Sequence, residues 1–200
     1  MDKKILSHFK KQDPLLHSFA VKTTVIKILK PENPKNYFLA LCDAIAGQQL
    51  SGKAADAIFA RFKTLYPKGV APKAVFDTKH EKLRAAGMSN AKARYLRNLA
   101  EAVVNGKLHL DNLSNLSDEE VKKQLIQVKG IGPWTAEMFL MFTLGRPDIF
   151  SHGDLGLRKG LKKIYGFKKF PSIRTVERIT KKWSPYKTYA SMILWKSLEK

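Results

Sequence analysis

The sequence predicts an all-α protein, and three observations predict it. Apolar residues recur at three- and four-residue spacing through most segments, no segment keeps the strict alternation of a half-buried strand, and helix-start signals precede several of the periodic runs. Breaks rich in Pro and Gly fall at residues 31–34, 67–72, 87, 106, 129–132, 145–153 and 166–171, leaving room for roughly nine or ten helices. Ala54, Ile58, Phe62 and Leu65 form one apolar stripe, and Ile173, Val176, Ile179 and Trp183 form another; both read as core. Ser117 and Glu120 make a capping box ahead of residues 121–127, and Ser184 before Pro185 marks the start of a last helix. Residues 134–144 are apolar on almost every side, which predicts a helix buried between neighbours, the seam of a two-lobed body. Near the N-terminus, Phe19, Val21, Val25, Ile28 and Leu29 argue for packing against the rest of the chain.

Charge narrows the partner. Against 17 Asp and Glu stand 37 Lys and Arg, a formal net charge of +20, so a polyanion is the natural ligand and nucleic acid leads. An anionic membrane is the rival, but no apolar run approaches about 18 residues, and the opening MDKKILSHFKKQDP carries no signal-peptide pattern. The expectation is a soluble intracellular protein at the cytoplasm or nucleoid, or in a nucleus. Cys42 is the single cysteine, which forbids an internal disulfide and leaves nothing for a cysteine-ligated zinc or iron–sulfur site. The five histidines, at 8, 17, 80, 109 and 152, have no ligand-like spacing.

Residues 125–154 read LIQVKGIGPWTAEMFLMFTLGRPDIFSHGD, a Gly-Ile-Gly turn opening an apolar helix and a loop ending on a carboxylate. Gly130 and Gly132 leave the main chain bare enough for a phosphate to approach, and the next helix begins with unpaired N–H groups and its positive dipole end. Pro133 suits that start because its missing N–H would have had no partner there. Asp154 begins DLGLRKGLKKIYG, so taken alone it reads as a helix N-cap. Trp134 taken alone reads as core, and GQQLSG at 47–52 as a polar turn.

Short helix, Lys129-Gly130-Ile131-Gly132, longer helix, then an Asp about twenty residues on resembles the helix-hairpin-helix superfamily of DNA base-excision glycosylases. GIGPWTA and DLGL are most similar to its alkylation-repair branch, the 3-methyladenine DNA glycosylase II type, over residues 37–195, with AIAGQQLSGKAA, which includes Ile45, joining at residues 44–55. The resemblance implies one domain over residues 1–200: a two-lobed helical bundle without an iron–sulfur cluster, the hairpin at about 121–144 and the active-site cleft between the lobes. It implies a monofunctional glycosylase that flips and hydrolyses alkylated bases from damaged double-stranded DNA.

The same resemblance gives roles to residues. Asp154 is the catalytic acid, stabilising positive charge on the deoxyribose and helping water attack. Trp134 stands where bifunctional members carry a Schiff-base lysine, which implies no strand cutting, and its indole lines the base pocket. Trp195, beside the WxPY-like set Trp183, Pro185 and Tyr186, is a second pocket wall. Met138 completes the pocket where some relatives carry tyrosine, and Leu155 likewise replaces a tyrosine. The turn Gln48-Gln49-Leu50-Ser51 contacts DNA and supplies the wedge, Gln49 or Leu50. Lys129, Gly130, Ile131 and Gly132 grip the backbone, and main-chain carbonyls of Ile126, Val128 and Ile131 seat a structural Na+ or K+; no other cofactor is required. A monomer is expected. The rival readings are a hairpin module that only binds DNA, for which Asp154 and the two indoles would be unnecessary, and an oxidised-purine glycosylase with lyase activity, which the missing lysine disfavours.

Lysines such as Lys159, Lys162, Lys163, Lys168, Lys169, Lys181 and Lys182 would contribute to backbone binding collectively. Affinity for undamaged duplex should therefore fall steeply with salt, with log K against log[salt] sloping about −0.9 for each phosphate neutralised. A titration that leaves the affinity nearly flat across the salt range would contradict this reading of the charge.

Overall fold

The computed structural model describes residues 2–22, 27–50 and 52–199, and Val25 and Ser51, both named above, lie outside them. All regular structure among the described residues is helical: α1 (Lys3–Gln12), α2 (Pro14–Ala20), α3 (Tyr37–Gly47), α4 (Gly52–Thr64), α5 (Pro72–Asp77), α6 (His80–Ala85), α7 (Asn90–Val104), α8 (Asp118–Ile126), α9 (Pro133–Met138), α10 (Leu155–Ile164), α11 (Ile173–Thr180) and α12 (Lys187–Lys196). That exceeds the sequence expectation because short helices follow one another with almost no linker. Asp13 ends α1, giving its N–H to the Phe9 carbonyl, and caps α2 through Leu16 N at 3.0 Å. No described helix is long and apolar enough to cross a membrane.

The chain divides into two compact units, Pro31–Leu144, and Met1–Lys30 with Gly145–Lys200. In the first, α3 buries Phe38, Leu41, Cys42 and Ile45, and Phe62, Leu83, Leu96, Leu99 and Leu125 also lie in its core. Each such burial is worth about 1.5–3 kcal/mol. Burial holds the Cys42 thiol protonated, its pKa pushed far up, with Asp43 adding to the shift. The α4 stripe holds in part: Phe62 is fully buried and Ile58 and Leu65 are half-buried, while Ala54 is exposed, and Phe59 and, just past the helix, Tyr66 are buried besides. The rings meet one another, stacked at 5.7 Å between Phe59 and Phe62 and edge-on at 5.2 Å between Phe62 and Tyr66.

Residues 134–144 also depart from expectation. α9 passes into a π-turn over Phe139–Thr143, closed by Leu144 N–H to the Phe139 carbonyl at 3.0 Å. The wider turn carries Phe139, Leu140 and Met141 inward, yet Trp134 and Phe142 keep 39% and 40% exposure, so the segment is not buried on every side.

The second unit is organised by α10, α11 and α12 around Leu157, Leu161, Val176, Trp183 and Ile193. Ile173 lies 72% exposed, so the α11 stripe begins one turn later than the spacing suggests. The N-terminal segment packs through Ile5, Phe9 and Leu16, while Val21 and Ile28 are exposed. α12 starts at Lys187 rather than at Ser184, because Asp148 receives Lys187 N at 3.2 Å and Ser184 Oγ at 2.9 Å. Its acceptors take the first helical N–H, so the cap comes from a distant loop.

The buried Asp13 carboxylate joins three elements. Besides capping α2, it accepts Trp183 Nε1 at 2.9 Å and the Tyr165 hydroxyl. Burial, then the adjacent carboxylate, pushes the Tyr165 phenol far above its ordinary pKa, so it stays a donor. Asp13→Ala would strand a buried indole N–H and phenol as well as a helix end, and should lower the unfolding free energy by about 3 kcal/mol in urea denaturation. A loss below about 1 kcal/mol would show that water replaces the carboxylate without penalty.

Candidate functional site

In the Pro31–Leu144 unit the site starts at the hairpin. The Ser117–Glu120 capping box is formed and starts α8, which runs to Ile126. The chain then turns through 127–132, with Ile131 N–H donating to the Val128 carbonyl at 2.9 Å. Gly130 has φ +114, and a Cβ there would run into the Tyr95 ring, so no other residue fits the turn without displacing that ring. Asn98 Nδ2 donates to the Lys129 carbonyl at 3.0 Å, fixing the outer limb, while the Lys129 side chain is exposed. Among the described residues the N–H groups of Gly130 and Gly132 have no acceptor. Two adjacent unpaired donors beside a cation suit an anionic oxygen.

Next to the hairpin lies the turn after α3. Leu50 N–H donates to the Gly47 carbonyl at 3.2 Å, Gln48 sits at φ −50 and ψ 130, and Gln49 at φ 57. This is the geometry of a type II turn with glutamine where glycine is usual. Gln49 is the sole non-glycine at positive φ among the described residues, and it is exposed, as is Leu50 at 40%. Gln48 points inward, its Nε2 donating to the Gly130 carbonyl at 3.0 Å and to Thr135 Oγ1 at 3.2 Å. A cleft of about 530 Å³ is lined by Gln48, Gln49, Tyr95, Gly130, Ile131, Gly132, Trp134 and Thr135. Met138, at the end of α9, is half-buried and does not line it. Tyr95 and Thr135 escaped the sequence reading because each sits on a helical face that spacing alone assigns to core.

In the other unit, Asp154 caps α10 through Leu157 N at 2.7 Å and receives Trp195 Nε1 at 3.0 Å on the same Oδ1. Trp195 therefore binds the carboxylate itself. Gly156 makes this possible, since a Cβ there would lie 2.9 Å from Trp195 Cδ1 and 3.0 Å from Asp154 Oδ1. The loop leading to Asp154 is tied to α12: Thr188 Oγ1 donates to the Arg146 carbonyl at 2.7 Å and accepts Ile149 N at 3.0 Å, and Thr188 N meets the Pro147 carbonyl at 2.9 Å. Trp183 of the WxPY-like set is wholly buried on Asp13, so it is core. Leu155 is 53% exposed.

A Gly-x-Gly hairpin with free donors, followed in sequence by an acid held at a helix start, defines the base-excision class of helix-hairpin-helix proteins. The chain belongs to the HhH-GPD superfamily of base excision DNA repair proteins, matching it over residues 42–185. It is 37% identical over 166 residues to DNA-3-methyladenine glycosylase 1 of Schizosaccharomyces pombe, covering 82% of this chain and 73% of that protein. Among solved structures, it resembles a DNA-3-methyladenine glycosidase from Bacillus halodurans (TM-score 0.82, 36% identity, 98% of this chain and 89% of that one). A 3-methyladenine DNA glycosylase of S. pombe in complex with abasic DNA is similar as well (TM-score 0.84, 33% identity, 98% and 96%).

The Gly156 seat gives a quantitative expectation. Gly156→Ala should destabilise the protein by about 2 kcal/mol through overpacking, and the part of that cost due to the indole should vanish in a Trp195→Ala background, leaving only the contact with Asp154 Oδ1. Strictly additive costs in denaturation would show that the glycine serves something other than the indole.

Proposed function

We infer that this protein is a monofunctional DNA glycosylase that hydrolyses the N-glycosidic bond of alkylated bases, 3-methyladenine-like purines, in damaged duplex DNA. The observation that carries the reading is the Asp154 carboxylate, held by a helix N–H and an indole N–H, in a chain that belongs to a base-excision family. As the bond between C1′ and the base nitrogen breaks, its electron pair leaves with the purine and the sugar becomes cationic. A fixed carboxylate lowers that barrier without needing to reorganise. Water then adds to C1′ and loses its proton, leaving an abasic site.

Trp134 presents no amine, so no Schiff base forms and the strand stays intact. Its indole suits a cationic methylated purine, whose positive charge favours the electron-rich ring face. Trp195, read from sequence as a second wall, acts in this proposal chiefly by orienting Asp154. Gly130, Gly132 and Lys129 grip a backbone phosphate, with Ile131 between them. The tip of the 47–50 turn, Gln49 and Leu50, fills the space vacated when a nucleotide is extruded. The carbonyls of Ile126, Val128 and Ile131 are neutral oxygen donors of the kind that suits Na+ or K+, and Ile126, as the last residue of α8, has a carbonyl beyond the helical ladder. Such an ion would stiffen the turn. The protein works as a monomer on the cell's DNA.

The test is incubation with methylated duplex, identification of the released base, and strand analysis before and after alkali. Free 3-methyladenine with breaks that appear only after alkali is expected. Asp154→Asn should slow release by about 10²–10³-fold while leaving duplex affinity within about threefold. Near-normal release by that variant would remove Asp154 from the chemistry, and alkali-independent breaks would favour a lyase.

A further inference from the structure

We propose that Gln48 is a positioning residue that couples the phosphate-gripping hairpin to the base-displacing turn, so that seating the backbone sets the turn tip against the base stack. This rests on the function proposed above and names how its two DNA-handling parts act together. Gln48 Nε2 has two hydrogens, and both are used: one on the Gly130 carbonyl at 3.0 Å, the other on Thr135 Oγ1 at 3.2 Å. Its acceptors lie on either side of Gly132, one in the turn and one in the first turn of α9, so a single amide spans the hairpin.

The Gly130–Ile131 peptide unit is consequently held at both ends. Its oxygen receives Gln48, and its N–H donates to the Val128 carbonyl at 2.9 Å. The unpaired N–H groups of Gly130 and Gly132 lie on the two neighbouring peptide units, so fixing this plane aims them.

The other end of the coupling is the turn itself. Gln49 is in the left-handed region, which is unfavourable for a side-chain-bearing residue and persists only where the surroundings impose it. The inward anchor of Gln48 imposes it from one side. From the other, Lys92 Nζ donates to the Ala46 carbonyl at 2.8 Å, and burial lowers the Lys92 pKa. Neighbouring glutamines thus have opposite duties: Gln48 is the anchor and Gln49 the tip. The anchor must be an uncharged double donor, since a glutamate would set a carboxylate against a carbonyl oxygen and asparagine is one methylene short.

The experiment compares the full chain with Gln48→Met, which keeps the length and loses the donors, and Thr135→Val, which removes only the second acceptor. Single-turnover excision is measured on one methylated purine, fully paired and within a three-nucleotide bubble, and 2-aminopurine beside the lesion reports unstacking on binding. At saturating enzyme, Gln48→Met is expected to slow excision about tenfold in the paired duplex and less than about twofold in the bubble, and to lose most of the fluorescence rise. Thr135→Val should show the same pattern at about two- to threefold, which decides the matter should Gln48→Met fail to fold. Equal losses on both substrates would reduce Gln48 to a stabilising contact, and no loss on either would overturn the proposal. If the wild type releases no base, the proposed function falls, and the fluorescence still judges the coupling: a rise equal in wild type and Gln48→Met, or absent from the wild type, overturns it.

Discussion

One oxygen atom organises the candidate chemistry. Asp154 Oδ1 accepts both the Leu157 N–H and the Trp195 Nε1, so the carboxylate cannot rotate without giving up a helix cap and a charge-assisted hydrogen bond together. That arrangement requires an indole against the first turn of α10, and the indole requires Gly156. It also requires α12 in register with the loop before Asp154, which the Thr188 bonds and the Asp148 cap of α12 secure. The cap and the chemistry proposed for Asp154 are therefore compatible, since the helix N–H that the carboxylate caps also fixes its orientation.

The parts legible in the sequence are those whose chemistry is local. A Gly-Ile-Gly turn, a proline at a helix start, a capping box and an aspartate ahead of DLGL each encode a backbone geometry within a few residues, and the structure has them where the spacing puts them. What the sequence could not show is contact between distant segments. Gln48 meets Gly130 across 82 positions, and nothing in GQQLSG says which glutamine turns inward. Tyr95 under Gly130 is an ordinary helical tyrosine until the hairpin lands on it. The Ala54 stripe held only in part for a related reason: Phe59 stacks on Phe62 and Tyr66 meets Phe62 edge-on, contacts that spacing does not display.

The same distinction explains Trp195. The wall role comes from the family resemblance, while the residue's position alone suits an aromatic that pins a C-terminal helix to the core. Geometry adds the indole N–H, whose direction no spacing rule supplies. Trp183 shows the converse, since a tryptophan in a recognisable local pattern is wholly consumed by a buried carboxylate in its own core.

Charge is distributed with a purpose that the +20 total hides. None of the eight residues lining the hairpin cleft is ionisable to a cation, although the chain carries 37 Lys and Arg. Diffuse surface charge draws in a polyanion over a range set by screening, and it does so without regard to sequence or damage. A lysine inside the cleft would add little to that attraction and would repel a purine made cationic by alkylation. Main-chain N–H groups, a glutamine amide and an indole give direction without net charge. In the function proposed above, long-range capture and local discrimination are separate tasks, and a cleft whose lining carries no cationic side chain spares a methylated purine that repulsion.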